Sequence, residues 1–376
     1  MSYLAILGRT SALSLAELEA VLGSVAVQPI GQHALLTEEP NLERLGGTIK
    51  LARVVAQSKQ LDDKLLAEVV RTLPQSESKL TIGLSYYGRR GDVLRLGMQL
   101  KKLIKAEGRS VRLVLPKSGS GALSAAQLKY NQLATDDDPE IIILEQSNRV
   151  IVALTSQYQD VDAYSARDYE RPERSTRVGM LPPKLAQILV NLAGIKTGTI
   201  LDPFCGGGVV LQEARLLGFS VAGSDLALDM VKATRKNMEW LDAQRANLPS
   251  WTATQADARK LKLPGDIKAI VTEGDLGPAF TQKPTRAQID RAATANSELV
   301  RSFLLNFASQ AKPGTPVVLC LPQWQSDNKT ILPAVIDEIY RLGYTLIQFA
   351  HADASELVYH RPGQIVARRI MVTKRK

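Results

Sequence analysis

Cysteine is nearly missing from this sequence. Cys205 and Cys320 are its two thiols, in separate segments and with no CxxC partner, which argues against both a disulfide framework and a structural zinc site. Histidine is equally scarce: His33, His351 and His360 lie far apart and read as structural residues, so no metal is expected. No apolar run approaches the ~20 residues that span a bilayer. The opening MSYLAILGR also lacks the basic start and long apolar core of an export signal. A cytoplasmic protein with no membrane partner is therefore expected.

What is present is an ordinary globular composition. The chain has 376 residues, 45% hydrophobic and 23% charged, enough for two or three domains at roughly 150 residues each. Its formal net charge of +9 favours a polyanionic partner. That charge is concentrated. Between Lys79 and Lys117 stand ten basic residues against Asp92 and Glu107 alone, a density that marks a phosphate-facing surface or, more blandly, a solvated helix face.

The chain changes character once. Residues 157–179, QYQDVDAYSARDYERPERSTRVG, are polar, rich in both charges and without apolar periodicity, as an inter-domain connection tends to be. Before it lies an α+β region. Ser14 is placed to cap an amphipathic helix that Gly23 stops, and strands are expected over 3–7, 80–87, 111–115, 140–144 and 149–154. A helix over about 92–107 buries Val93, Leu96, Leu100, Leu103 and Ile104 on one face, leaving Arg95, Lys101, Lys102 and Lys105 outward. After the connection the rhythm becomes strand, helix, strand, helix, which predicts a doubly wound α/β sheet. Its seven strands are expected over 199–201, 220–223, 251–254, 269–272, 316–321, 344–349 and 365–373, with helices over 227–240, 285–310 and 330–342.

The first turn of that sheet is ILDPFCGGGVV, residues 200–210. In such folds ligands bind beyond the carboxyl ends of the strands, and glycines let the backbone approach them closely. The pattern is not GxGxxG, and an acid ends the strand. Asp202 would repel a pyrophosphate but accept from an ammonium or hydroxyl, both of which S-adenosylmethionine carries. Asp225, ending the second strand, is spaced to hydrogen-bond ribose hydroxyls. Asp257, after the third, is placed to accept from an adenine amino group. Each acid alone reads equally as a helix cap; three on consecutive strand tips beside a glycine turn point to a methyl-donor site.

DPFCGGG with the later GSD and QADA resembles the methyltransferases that modify the exocyclic amine of guanine in RNA, and VGMLPPKLAQILVNLAG (residues 178–194) is similar to their lead-in to the first strand. YLAILGR, LGGTIKLARV and the region after them resemble the N-terminal and THUMP modules of tRNA guanine-N2 methyltransferases. The resemblance implies a Rossmann-like, S-adenosylmethionine-dependent enzyme, with Asp202, Phe204, Cys205, Gly206, Gly208, Asp225, Leu226, Asp257 and Ala258 around the donor. It implies RNA, tRNA above all, as partner, gripped through Arg89, Arg90, Lys101, Lys102, Lys105 and Arg109, with any activating subunit unknown. It divides the chain into an N-terminal ferredoxin-like module (1–60), a THUMP-like module (61–158), a linker (159–178) and the methyltransferase domain (179–376).

One motif departs from the family. Where those enzymes carry D/N-P-P-Y/F to hold the amine and stack the flipped base, this chain has Thr272-Glu273-Gly274-Asp275-Leu276-Gly277-Pro278. Glu273, the Gly274 carbonyl and Asp275 are the candidate catalytic acceptors, and Phe280 is the nearest ring for stacking. The alternatives are a non-catalytic RNA-binding protein on the same fold, or an enzyme acting on DNA amines. VYHRPGQIVARRI near the end places Tyr359, Arg361, Arg368 and Arg369 either at the substrate rim or along a charged strand edge.

Overall fold

The computed structural model describes residues 1–75, 79–88, 92–117, 119–174, 180–326 and 329–376. The chain forms two compact units, and neither is continuous. The first comprises residues 1–9, 25–43 and 48–162; the second comprises 10–24, 44–47 and 163–376.

The elements up to residue 158 run β1 (Tyr3–Leu7), α1 (Ser11–Leu22), β2 (Val27–Ile30), β3 (His33–Leu36), β4 (Thr48–Ser58), α2 (Asp63–Thr72), β5 (Leu80–Tyr87), α3 (Val93–Ala106), β6 (Val111–Val114), α4 (Ala125–Tyr130), β7 (Glu140–Gln146) and β8 (Arg149–Tyr158). All except α1 belong to the first unit. Its eight strands make a single sheet in the order β2-β3-β1-β4-β8-β7-β5-β6, parallel where β5 meets β6 and β7 and antiparallel elsewhere. The expected boundary at residue 60 is absent, because β4 pairs with β8 from Lys50↔Tyr158 to Ser58↔Val150 and binds both halves into one sheet. Leu65, Val69, Leu100 and Ile104 of α2 and α3 pack on Ile82, Leu84, Ile141 and Val152 of that sheet, each fully buried side chain contributing about 1.5–3 kcal/mol. Asp92 caps α3 by accepting from the Arg95 N–H at 3.0 Å.

The second unit continues with α5 (Val161–Tyr169), which begins in the last residues of the first, then α6 (Pro183–Leu192), β9 (Thr199–Asp202), α7 (Val209–Leu216), β10 (Ser220–Asp225), α8 (Leu228–Gln244), β11 (Trp251–Gln255), β12 (Ile267–Thr272) and α9 (Arg286–Ala308). It closes with β13 (Pro316–Ser326), β14 (Lys329–Ile331), β15 (Tyr344–Leu346), β16 (Val358–Tyr359) and β17 (Ala367–Arg375). The sheet order is β11-β10-β9-β12-β13-β17-β15. The first five strands are parallel, and β17 inserts antiparallel between β13 and β15. Leu13 of α1, Leu189 of α6 and Leu211 of α7 share one core, and Val300, Phe303 and Phe307 of α9 lie in another. This is the doubly wound, Rossmann-like sheet that the alternating rhythm predicts.

Three local expectations fail, each for a visible reason. Ser14 is not a cap: α1 starts at Ser11, and the Ser14 hydroxyl, inside the helix, donates to the Thr10 and Gly47 carbonyls. The helix expected over 330–342 is replaced by β14, which pairs with β13, and a 3-10 turn over Ala334–Glu338. Pro333 between them has no N–H for a helical ladder. The expected linker is partly helical: α5 occupies 161–169, and its Tyr164 hydroxyl bonds Gln187 of α6.

Candidate functional site

The glycine turn is built by conformation and by clamps. Gly206 and Gly208 have φ of 50° and 81°, where a side chain is strained, and a Cβ on Gly208 would also lie 3.0 Å from Thr234 Cγ2. Thr234 Oγ1 donates to the Gly206 carbonyl at 2.6 Å, and the Cys205 N–H donates to the Ser224 carbonyl at 2.9 Å. Asp225 at the tip of β10 accepts from the Gly206 N–H at 3.0 Å and from the Ala227 N–H at 2.9 Å. The turn is thereby fixed to the neighbouring strand by the chain's own hydrogen bonds.

A cavity of about 410 Å³ opens over this turn, within the usual range for small-molecule sites. It brings Asp202, Phe204, Cys205, Gly206 and Asp225 of the expected donor set together with Glu273, Gly274 and Asp275 of the expected catalytic set. Residues from β9, β10 and the end of β12 therefore converge, as the strand-tip rule requires. Asp202 is 2% exposed. Burial pushes its carboxyl up to about 7, opposed by the Thr272 hydroxyl and the Phe204 N–H, and reinforced by the charges of Asp225 and Glu273. The Cys205 thiol is buried as well, and burial pushes its pKa up, so it is packing and not a nucleophile.

Four donor-set residues lie outside the lining. Gly208 instead begins α7 as its left-handed cap. Leu226 is exposed, Ala258 is buried beneath α9 with its carbonyl accepting from Asn306 Nδ2, and Asp257 is captured by Arg259. Arg259, two residues on, folds back so that Nε and Nη2 donate to both Asp257 oxygens at 2.7–3.1 Å. That carboxylate is thus occupied by its own chain.

Glu273 is also paired. Arg368 of β17, 2% exposed, donates through Nε to Glu273 Oε1 at 2.5 Å. Burial raises the Glu273 pKa while the guanidinium pulls it down. Arg368 therefore faces inward, and of the two readings for this run the plain strand edge does not hold for it. Arg369 donates to Gln323 Oε1 and the Ala354 carbonyl, and Arg361 to the Tyr359 hydroxyl. Each histidine has a ring nitrogen against a main-chain group: Leu7 N–H for His33, the Ser24 carbonyl for His351, the Gln364 carbonyl for His360.

Sequence reasoning missed two features. Arg171, Glu173 and Arg174, in the stretch taken for a linker, also line the cavity. Asn237 of α8 fastens them there: its Oδ1 accepts from the Glu173 N–H, and its Nδ2 donates to the Glu173 and Gly207 carbonyls. The signal in sequence was a charged, proline-containing run ahead of α6. The second feature is a cavity of about 640 Å³ beside the first, lined by Pro278, Phe280, Gln288, Arg291 and Asn296. Asp275 lines both. Asn296 holds the Asp275 carbonyl through Nδ2, and its Oδ1 is buried with no hydrogen-bond partner among the described residues.

In the first unit, Lys102 and Lys105 are exposed on α3 and Lys101 partly so. Leu94 and Met98 of the same helix are 58% and 54% exposed. Arg109 is not part of that face, because its guanidinium bonds the Val70 and Pro74 carbonyls at the end of α2. Arg89 and Arg90 lie outside the described residues. Among the described residues no cluster of metal-binding side chains occurs, and no helix is long and apolar enough to cross a membrane.

Residues 171–302 match the family described as UPF0020, RMKL-like, methyltransferase domain. The chain is 33% identical over 178 residues to the tRNA (guanine(10)-N2)-dimethyltransferase of Methanothermobacter thermautotrophicus, which is 47% of each chain. It is 35% identical over 116 residues to the enzyme of that name from Pyrococcus abyssi, 30% of this chain and 33% of that one. For Methanocaldococcus jannaschii the figures are 36% over 115 residues, 30% and 31%. The chain thus spans about half or less of the curated relatives it matches. Within the second unit, residues 171–302 are thus similar to RMKL-like methyltransferase domains, and the aligned residues are similar to the tRNA (guanine(10)-N2)-dimethyltransferases.

Proposed function

We propose that the protein methylates an exocyclic amine in RNA, guanine N2 in tRNA, with S-adenosylmethionine as donor. The observation that carries this reading is Asp275, which borders both the acid-lined cavity over the glycine turn and the second cavity beside it. The first cavity fits the donor's chemistry: its acids suit a ligand with an ammonium and a sulfonium, and Asp225 suits ribose hydroxyls. When bound, the donor supplies an electrophilic methyl group.

The chain's own residues supply geometry. A guanine amine is a poor nucleophile because its lone pair is conjugated with the ring. Acceptors that hold its N–H bonds turn that lone pair toward the methyl, and such positioning supplies most of the rate. Asp275 and the Gly274 carbonyl are those acceptors in our reading. Glu273, bound to Arg368, shapes the site and fixes its charge. The base enters the second cavity against Phe280, where stacking contributes ~1–3 kcal/mol. The first unit is the RNA-gripping, THUMP-like module, with Lys101, Lys102 and Lys105 toward the phosphates.

A non-catalytic RNA binder is the second reading, favoured by the pairing of Glu273 at the place where the family's acceptor stands. Tritium transfer from labelled donor to unmodified tRNA separates them. The wild type transfers label and Asp275→Ala, which removes the acceptor, loses most of it, ~100-fold or more; no label from the wild type leaves the binder.

A further inference from the structure

The cavity over the glycine turn contains a cation with too few partners. Arg171 is 4% exposed. Among the described residues its Nη2 donates to Met180 Sδ alone, at 3.3 Å, a weak acceptor. Nε and Nη1 are buried with no hydrogen-bond partner among the described residues. The carboxylates of Asp168 and Glu213 favour its charge from a distance, and Arg174 opposes it; Glu213 itself is engaged by Arg167. A buried guanidinium with unspent N–H groups is costly unless an anion completes it.

The other charges in the lining are mostly of the opposite sign: Glu173, Asp202, Asp225, Glu273 and Asp275. A ligand that satisfies both sets carries cationic groups for the acids and one anionic group for Arg171. S-adenosylmethionine has that pattern, with its single anionic group on the methionyl end. Asn237 ties residue 173 to Gly207, which holds Arg171 close to the turn where that end must lie if the ribose is at Asp225.

We propose that Arg171 receives the carboxylate of the donor's methionyl end. This rests on the donor assignment above and adds the residue that reads the amino-acid part. Guanidinium and carboxylate are matched in geometry, and such pairs are the stronger class of hydrogen bond.

The test compares S-adenosylmethionine with its decarboxylated form, which keeps the ammonium and the sulfonium, by calorimetry on the full chain. The wild type binds the parent roughly 10- to 100-fold more tightly, the worth of a charge-assisted bond. Arg171→Gln brings the ratio close to one and binds the decarboxylated ligand at least as tightly as the wild type, because a buried cation facing its ammonium is gone; that retained binding also certifies the fold. Arg171→Lys, which keeps the charge without the fork, recovers part of the ratio. A wild type that binds neither compound overturns the donor assignment and this inference together. A wild type that binds both equally, or an Arg171→Gln protein that keeps the full ratio, overturns the inference alone.

Discussion

With Asp202 facing the donor as proposed, donor binding should depend on pH near neutrality. Its buried carboxyl titrates at about 7, and a cationic ligand binds the ionised form. The apparent dissociation constant then scales as one plus the protonated-to-ionised ratio. Affinity should weaken ~10-fold from about pH 8 to about pH 6, with ~5-fold of that below pH 7. Binding at pH 7 should also release about half a proton, because the ligand's charge drives the carboxyl to ionise. Calorimetry in two buffers of different ionisation enthalpy reads that proton directly. The donor's own α-amino group titrates near 7.7–8.0, so Asp202→Asn serves as the reference: it keeps the shape and an acceptor for the Phe204 N–H, and removes only the Asp202 contribution. A wild-type profile that superimposes on that of Asp202→Asn would refute the reasoning.

Glu17 carries a second pH dependence, in stability. It is fully buried in the second unit, and burial raises its pKa to about 7 despite hydrogen bonds from Asn191, Gly46 and Gly47. A raised folded pKa contributes stability at pH values below the unfolded value near 4.5, lost as pH rises through about 7. Unfolding free energy should fall by up to about 3 kcal/mol over that window; denaturant melts at several pH values measure it, and Glu17→Gln should flatten the Glu17 component. In the first unit, Lys101→Glu, Lys102→Glu and Lys105→Glu together should weaken tRNA binding and lower the salt slope by about 2–3. Unchanged filter-binding slopes would remove α3 from the RNA face.

Most of the second unit was legible because its signals are local. The glycine turn, Asp202, Asp225 and the alternating strands are read from short stretches, and β9 to β12 form where expected. Side-chain capture was not legible: Arg259 takes Asp257, Arg368 takes Glu273 and Arg109 takes the α2 carbonyls, each a contest between partners that composition does not decide. The position of α1 was equally hidden. Its apolar residues predict a helix, but nothing in them says that Leu13 and Ala16 pack with residues near 185–214. Arg171 escaped notice because a polar, charged run looks alike whether it is solvated or wrapped over a cavity.

The placement of α1 also has a consequence for how this chain must be made and cut. Residues 10–24 emerge from the ribosome about 170 residues or more ahead of α6 and α7, with which Leu13 and Ala16 share a core, so the second unit cannot mature before its own late segments return to an early one. A protease or gene truncation at residue 160 would not release an intact second unit. It would strip Leu13, Ala16 and Glu17 from that unit's interior and leave Asn191 Nδ2 without its Glu17 acceptor, so an inactive fragment would report a broken fold and leave the proposed RNA-gripping role of the first unit untested.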